Sequence, residues 1–177
     1  MAEFSIAIRT LIGLVFLTAA WSKLQHRREF QGVVANYRLL PDMLAAPFAA
    51  VLPLVESLLG ALLPTGLATP WSETAAAGLL ALFAAAMAIN LRRGRTDIDC
   101  GCFQSALKQT LGWPLVARNA VLVLLAGAAA IPAPPVPAWG KVEGLLAGAV
   151  IFLLLQSLNM LWSVRPAWLK TSAGGEG

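Results

Sequence analysis

The stretch Ser72-Glu73-Thr74-Ala75-Ala76-Ala77-Gly78-Leu79-Leu80-Ala81-Leu82-Phe83-Ala84-Ala85-Ala86-Met87-Ala88-Ile89-Asn90-Leu91 decides the fold. It is almost continuously apolar and long enough to cross a bilayer core of about 30 Å, which takes roughly 20 residues of helix. Four further runs approach the same length: 4–21, 44–67, 114–131 and 142–164. They are rich in Ala and Leu and do not alternate, so they read as helices and not as strands of a barrel. Inside lipid the backbone must satisfy its own hydrogen bonds, which also selects helices. The expected architecture is an all-α integral membrane protein, a bundle of four to five transmembrane helices. One domain covers 1–168, followed by a disordered tail at 169–177.

Composition agrees. The 177-residue chain is 58% hydrophobic and 12% charged, against about 45–50% and about 25% for soluble domains. No dense basic stripe interleaved with aromatics is present, so nucleic acid is not expected as a partner; the bilayer is. The single histidine, His26, rules out a His-rich zinc site. No cofactor is expected. The N-terminus lacks a basic region before its apolar run, which points to an uncleaved first helix.

The connections set the orientation. The loop 22–43 carries Lys23, Arg27, Arg28 and Arg38; the loop 92–113 carries Arg92, Arg93, Arg95 and Lys108; the tail carries Arg165 and Lys170. With five spans these ten cations share one side, against Lys141 and, within the first helix, Arg9 on the other. The positive-inside rule makes the rich side cytoplasmic, with the N-terminus periplasmic. The six tryptophans lie near helix ends, as interfacial anchors do.

Glu56 lies mid-run, where a charge costs at least about 3 kcal/mol unless paired or neutral. Arg9 and Arg118 are the expected partners. The pair is either a structural lock between helices or part of a proton path. Asn90, Asn119, Gln156 and Asn159 suit hydrogen bonding across helices. Gly144 and Gly148 form a small-residue face, read as internal packing in preference to dimerisation.

After the quoted run the chain reads Arg92-Arg93-Gly94-Arg95-Thr96-Asp97-Ile98-Asp99-Cys100-Gly101-Cys102-Phe103. Cys100 and Cys102 are the only cysteines in the chain, and at this spacing they can approach disulfide geometry, with Gly101 easing the bend. So small a ring would be strained and labile, which suits exchange better than bracing. Three readings stand: a redox dithiol exchanging with a partner, a soft-metal relay through two thiolates of the Cu(I) type, and two small residues in a tight turn. Asp97 and Asp99 act against thiolate formation and the arginines favour it. The loop is expected to be cytoplasmic or re-entrant.

These residues bring a resemblance into view. The run Asn90–Phe103 with Trp113 and Arg118-Asn119 resembles the MauE family of methylamine utilisation proteins, related to DoxX-like membrane proteins. Ser22-Lys23-Leu24, Tyr37-Arg38-Leu39-Leu40-Pro41, and Leu52-Pro53-Leu54-Val55-Glu56 with Gly60 add to it. The resemblance covers about residues 5 to 125. It departs at Gln104, where the family usually has glycine. It implies an inner-membrane protein needed for maturation of methylamine dehydrogenase, whose periplasmic small subunit is rich in disulfides, together with a thioredoxin-like periplasmic partner, MauD. On that basis Cys100 and Cys102 are the candidate reactive pair, as a possible thiol–disulfide oxidoreductase, supported by Asp97, Asp99, Gly101, Phe103, Glu56, Arg9 and Arg118. A non-catalytic membrane scaffold for the same partner is the alternative.

Overall fold

A computed structural model of the chain describes residues 2–95, 111–132, 134 and 137–172, and of these the side chains other than 42, 159 and 162–172. The apolar runs are helices, and the described residues contain six: α1 (Ala2–Gln25), α2 (Arg27–Tyr37), α3 (Asp42–Thr65), α4 (Trp71–Arg92), α5 (Trp113–Ala129) and α6 (Ala138–Ser172). Four of them, α1, α3, α4 and α6, are long and apolar enough to cross a membrane. The 17 residues of α5 rise about 25 Å.

The helix α1 is the central staff, packed on α3, α6 and α5. Its apolar side chains Ile8, Ile12 and Phe16 meet Leu59 and Leu63 of α3, Ala76 and Leu80 of α4, Leu122 and Ala126 of α5, and Phe152 of α6 in one core. Lipid makes this packing differ from that of a soluble domain. Apolar burial gives little net drive there, so close backbone approach and interhelical polar contacts must supply it. Gly13 and Gly60 mark the crossing of α1 and α3: a methyl group on Gly13 would stand 2.9 Å from the Gly60 carbonyl oxygen. Gly144 and Gly148 let α6 lie against α1, at Glu3–Ile6 and Ala7–Thr10 respectively. The small-residue face is thus internal.

These contacts also give direction. Gly13 meets Gly60 and Pro64 while Lys23 meets Glu56, so α1 and α3 are antiparallel. The start of α1 meets the start of α6, so those two are parallel. Arg9 near the start of α1 contacts Glu73 at the start of α4 and Ala129 at the end of α5. Meanwhile Leu111 and Leu115, at the start of α5, pack with Met87 and Leu91 near the end of α4. Short as it is, α5 therefore runs the length of the bundle. The helices α1, α3, α4, α5 and α6 alternate in direction, and the end of α1 with α2, the end of α4 and the start of α5 share one end, called here the loop end.

Two features depart from the sequence reading. The loop 22–43 is not irregular: α1 runs on to Gln25, and an 11-residue amphipathic helix, α2, follows. It ends at Arg38, whose left-handed conformation (φ 48) turns the chain into α3. At the other terminus, helical backbone continues past the expected span end at 164, to Ser172. Residues 173–177 of the expected tail lie outside the described residues. Trp21, Trp71, Trp113 and Trp139 are all exposed at helix ends, where an aromatic belt places them.

Candidate functional site

Polar chemistry inside the bundle is concentrated in two layers, one at each end. At the loop end, the Lys23 ammonium donates to Oε1 of Glu56 in an ion pair between α1 and α3. The two side chains are only 4% and 0% exposed. The same ammonium stands 5.2 Å from the ring centre of Phe30 on α2 and 5.0 Å from that of Phe83 on α4. The faces of aromatic rings attract cations, so three helices besides its own surround this one charge.

Why Lys23 points inward follows from helical spacing. Ile12, Phe16, Ala19 and Ala20 are buried on one stripe of α1, and Lys23 continues it at three and four residues further on. On α3, Pro53 lies one turn before Glu56, and its carbonyl oxygen accepts from Ser57 Oγ at 2.8 Å.

The opposite end holds the second layer. Arg9 Nε is 2.7 Å from Oε1 of Glu73, whose side chain is fully buried. Thr69 Oγ1 donates to Oε1 of Glu73 and Ser72 Oγ to Oε2, each at 2.9 Å. Arg9 Nη2 donates to the Ala129 carbonyl oxygen at 2.9 Å, and Ser5 Oγ to the same oxygen at 3.3 Å. Ala129 closes α5, where carbonyls have no helical partner, so the arginine caps α5 while pairing with α4. Gly66 makes room for it: it takes a left-handed φ of 66°, and a methyl group there would come 3.1 Å from Arg9 Nη1.

The expected pairing of Glu56 with Arg9 is thereby corrected. Arg9 and Lys23 are 14 residues apart on α1, a rise of about 21 Å, so Arg9 serves the far end and its acid is Glu73. Arg118, the other expected partner, is half-buried on α5, one turn past Leu115 and next to Asn119, which is 3% exposed. It belongs to the loop end. Sequence reasoning passed over Lys23, taken as a loop cation, and Glu73, taken without comment as part of a span. The signal for Glu73 was present. Glu73, Ala76, Leu80, Met87 and Asn90 are all buried, and their spacing of three, four, seven and three residues is that of one helix face.

The candidate residues Asp97, Asp99, Cys100, Gly101, Cys102 and Phe103 lie outside the described residues. Both flanks of that segment are described. On the near side α4 ends in a tied turn: Asn90 is fully buried, its side chain donates to Ala86 O at 3.1 Å, its Oδ1 accepts from Arg95 Nη1 at 3.4 Å, and its carbonyl accepts from Arg95 N at 3.0 Å. On the far side Leu111 is buried against Met87. From Arg95 to Cys100 is five residues, a reach of at most about 18 Å. Among the described residues, no group of three or more His, Cys, Asp and Glu side chains is placed to hold a metal.

Beside the Lys23–Glu56 pair a cavity of about 270 Å³ lies between α2, α3 and α4. Among the described residues Lys23 is its one charged lining residue; Phe30 and Tyr37 of α2, Phe48 of α3, and Phe83 and Met87 of α4 line it together with aliphatic side chains.

Comparison with known proteins shows the family. The family model described as methylamine utilisation protein MauE matches residues 1–132. A methylamine utilization protein MauE of Paracoccus denitrificans is 47% identical, with 94% of this chain and 95% of the relative covered. One from Methylorubrum extorquens is 43% identical over 87% of this chain and 84% of its own. One from Methylophilus methylotrophus is 51% identical over 51% of this chain and 48% of its own. No solved structure matches. The match spans α1 to α5, and with them both buried ion pairs and the cysteine segment, and on it the chain belongs to the MauE family of methylamine utilisation proteins.

Proposed function

We propose that this protein is a thiol–disulfide exchange protein of the bacterial inner membrane, with Cys100 and Cys102 as its reactive pair. One thiolate attacks a disulfide sulfur of the partner, forming a mixed disulfide and releasing a partner thiolate. The second cysteine then attacks the mixed disulfide, leaving a Cys100–Cys102 disulfide and a reduced partner. The reverse sequence oxidises the partner. The partner class is a thioredoxin-like periplasmic protein of the MauD type, and the client is the disulfide-rich small subunit of methylamine dehydrogenase. The names of the relatives favour a place in methylamine utilisation.

The observation that favours this reading is the anchoring of the cysteine segment. Both of its flanks are fixed at the loop end, at Asn90–Arg95 and at Leu111. The same end holds the buried Lys23–Glu56 pair, which in this reading takes and returns the protons that thiol chemistry moves. Asp97, Asp99, Gly101 and Phe103 would shape the segment itself. Arg9 would act at a distance, by fixing α1 against α4 and α5. The loop end also carries Arg27, Arg28, Arg38, Arg92, Arg93 and Arg95, while the other end carries Arg9 and Lys141. Under the positive-inside rule the loop end is cytoplasmic. A segment that folds back into the bundle would let electrons pass between the cysteine pair and a periplasmic disulfide or dithiol.

The test is the Cys100→Ser/Cys102→Ser chain expressed in a methylamine-growing host. Loss of mature dehydrogenase small subunit, with the membrane protein present at normal level, is expected. Full maturation with both serines would leave the scaffold alternative in place of exchange.

A further inference from the structure

We infer that the cavity between α2, α3 and α4 binds the head of a membrane-soluble quinone, with Lys23 donating a hydrogen bond to one of its carbonyl oxygens. Four features of the cavity select this chemistry. Its volume of about 270 Å³ lies near the lower end of small-molecule sites, about 300 Å³, which suits a single substituted ring. Its lining includes Leu39 and Leu82, 36% and 50% exposed, and Leu82 lies on the spanning-length helix α4, so the cavity reaches a surface that faces lipid. Its walls offer the rings of Phe30, Tyr37, Phe48 and Phe83, which favour a flat conjugated head.

The fourth feature is charge. The ammonium carries three donors; one meets Glu56, and the faces of Phe30 and Phe83 stand 5.2 and 5.0 Å from it. A carbonyl oxygen is a better acceptor than a ring face. With Glu56 already beside Lys23, an anionic head would set a second negative group on one ammonium inside an apolar cavity, at high cost, and a cationic head would be repelled by Lys23. The ligand is therefore neutral, flat, lipid-soluble and hydrogen-bond accepting.

The role of such a ligand rests on the dithiol reading in its partner-oxidising direction, which leaves Cys100 and Cys102 reduced. A dithiol that gives two electrons and two protons to a quinone leaves a disulfide and a hydroquinone, with each carbonyl becoming a hydroxyl. Such a quinone would reoxidise the cysteine pair between turnovers.

The experiment measures binding of decylubiquinone to the full chain in lipid nanodiscs, and maps the peptide labelled by an azido-quinone. One saturable site is expected, with label on peptides containing Phe30–Tyr37 or Leu82–Met87. Ala86→Trp, which fills the cavity wall, should weaken binding at least tenfold. Lys23→Met/Glu56→Leu, which removes both charges together, should weaken it about tenfold. A long-chain fatty acid should not compete. The Cys100→Ser/Cys102→Ser chain should bind as the parent does, so this site stands or falls apart from the exchange reaction. Label confined to other helices in the parent chain, unchanged affinity in folded Ala86→Trp, or equal displacement by diacyl lipid, meaning an acyl-chain groove only, would each overturn the inference.

Discussion

Replacing Glu56 by leucine removes the one carboxylate paired with an ammonium that is 4% exposed. The cost can be bounded from that geometry. An exposed ion pair contributes about 0–1 kcal/mol. Breaking a buried pair by deleting one member costs about 3–5 kcal/mol, because the remaining charge stays in a medium that cannot solvate it. Burial of both side chains puts Lys23–Glu56 in the second class, and the two aromatic rings recover only part of the loss, about 1 kcal/mol each at most. Glu56→Leu should therefore destabilise the bundle by about 3 kcal/mol or more. Adding Lys23→Met should restore most of it, since an apolar pair of similar volume replaces a buried ion pair at little cost. Reversible unfolding in mixed micelles of increasing SDS fraction, followed by tryptophan fluorescence, measures all four corners of this cycle. A loss below about 1 kcal/mol for Glu56→Leu, or a double variant as unstable as the sum of the singles, would refute the buried pair.

Other predictions follow from the same geometry. Glu56→Gln keeps the shape, so folded protein with slowed exchange and a flattened pH profile would mark a proton-transfer role, and lost expression a purely structural one. Arg9→Lys keeps the charge but loses the fork that reaches both Glu73 and Ala129, and should lower stability by about 1–2 kcal/mol in the same SDS titration. Gly13→Ala should cost about 1–3 kcal/mol by overpacking, because the added carbon meets the Gly60 carbonyl and Pro64. Gly78→Ala, with nothing within 4 Å, should be near neutral. A membrane-impermeant thiol reagent applied from the periplasmic side should label Cys100 or Cys102 slowly, as a segment folded back into the bundle allows; no labelling before disruption of the inner membrane would put the pair on the cytoplasmic side alone and contradict direct exchange with a periplasmic partner.

Much of the fold was legible because lipid imposes a simple rule. Each apolar run is a helix within a few residues of its expected ends, apart from the longer α6. The helix α2 was missed because attention to spanning length passes over 11 residues. Its apolar positions Phe30, Val33, Val34 and Tyr37 nonetheless fall at i, i+3, i+4 and i+7, the spacing of one helix face, and they are its least exposed residues. Lys23 was illegible for a different reason. A lysine two residues after Trp21 reads as a membrane-interface anchor, and only the continuation of α1 to Gln25 turns it inward. Arg9 and Glu56 were both seen to need partners; which acid met which base depended on the antiparallel register of α1 and α3, set by the Gly13–Gly60 crossing and not by any local pattern.

The central claim is that Cys100 and Cys102 exchange disulfides with a thioredoxin-like partner, and trapping the covalent intermediate tests it most directly. Cys100→Ser and Cys102→Ser chains are expressed separately, cells are acid-quenched, and free thiols are blocked before non-reducing electrophoresis. The account predicts a mixed disulfide with the partner in at least one single variant, released by reductant and absent from the double variant. A complete lack of such an adduct in both single variants, with the partner present at normal level, would contradict it.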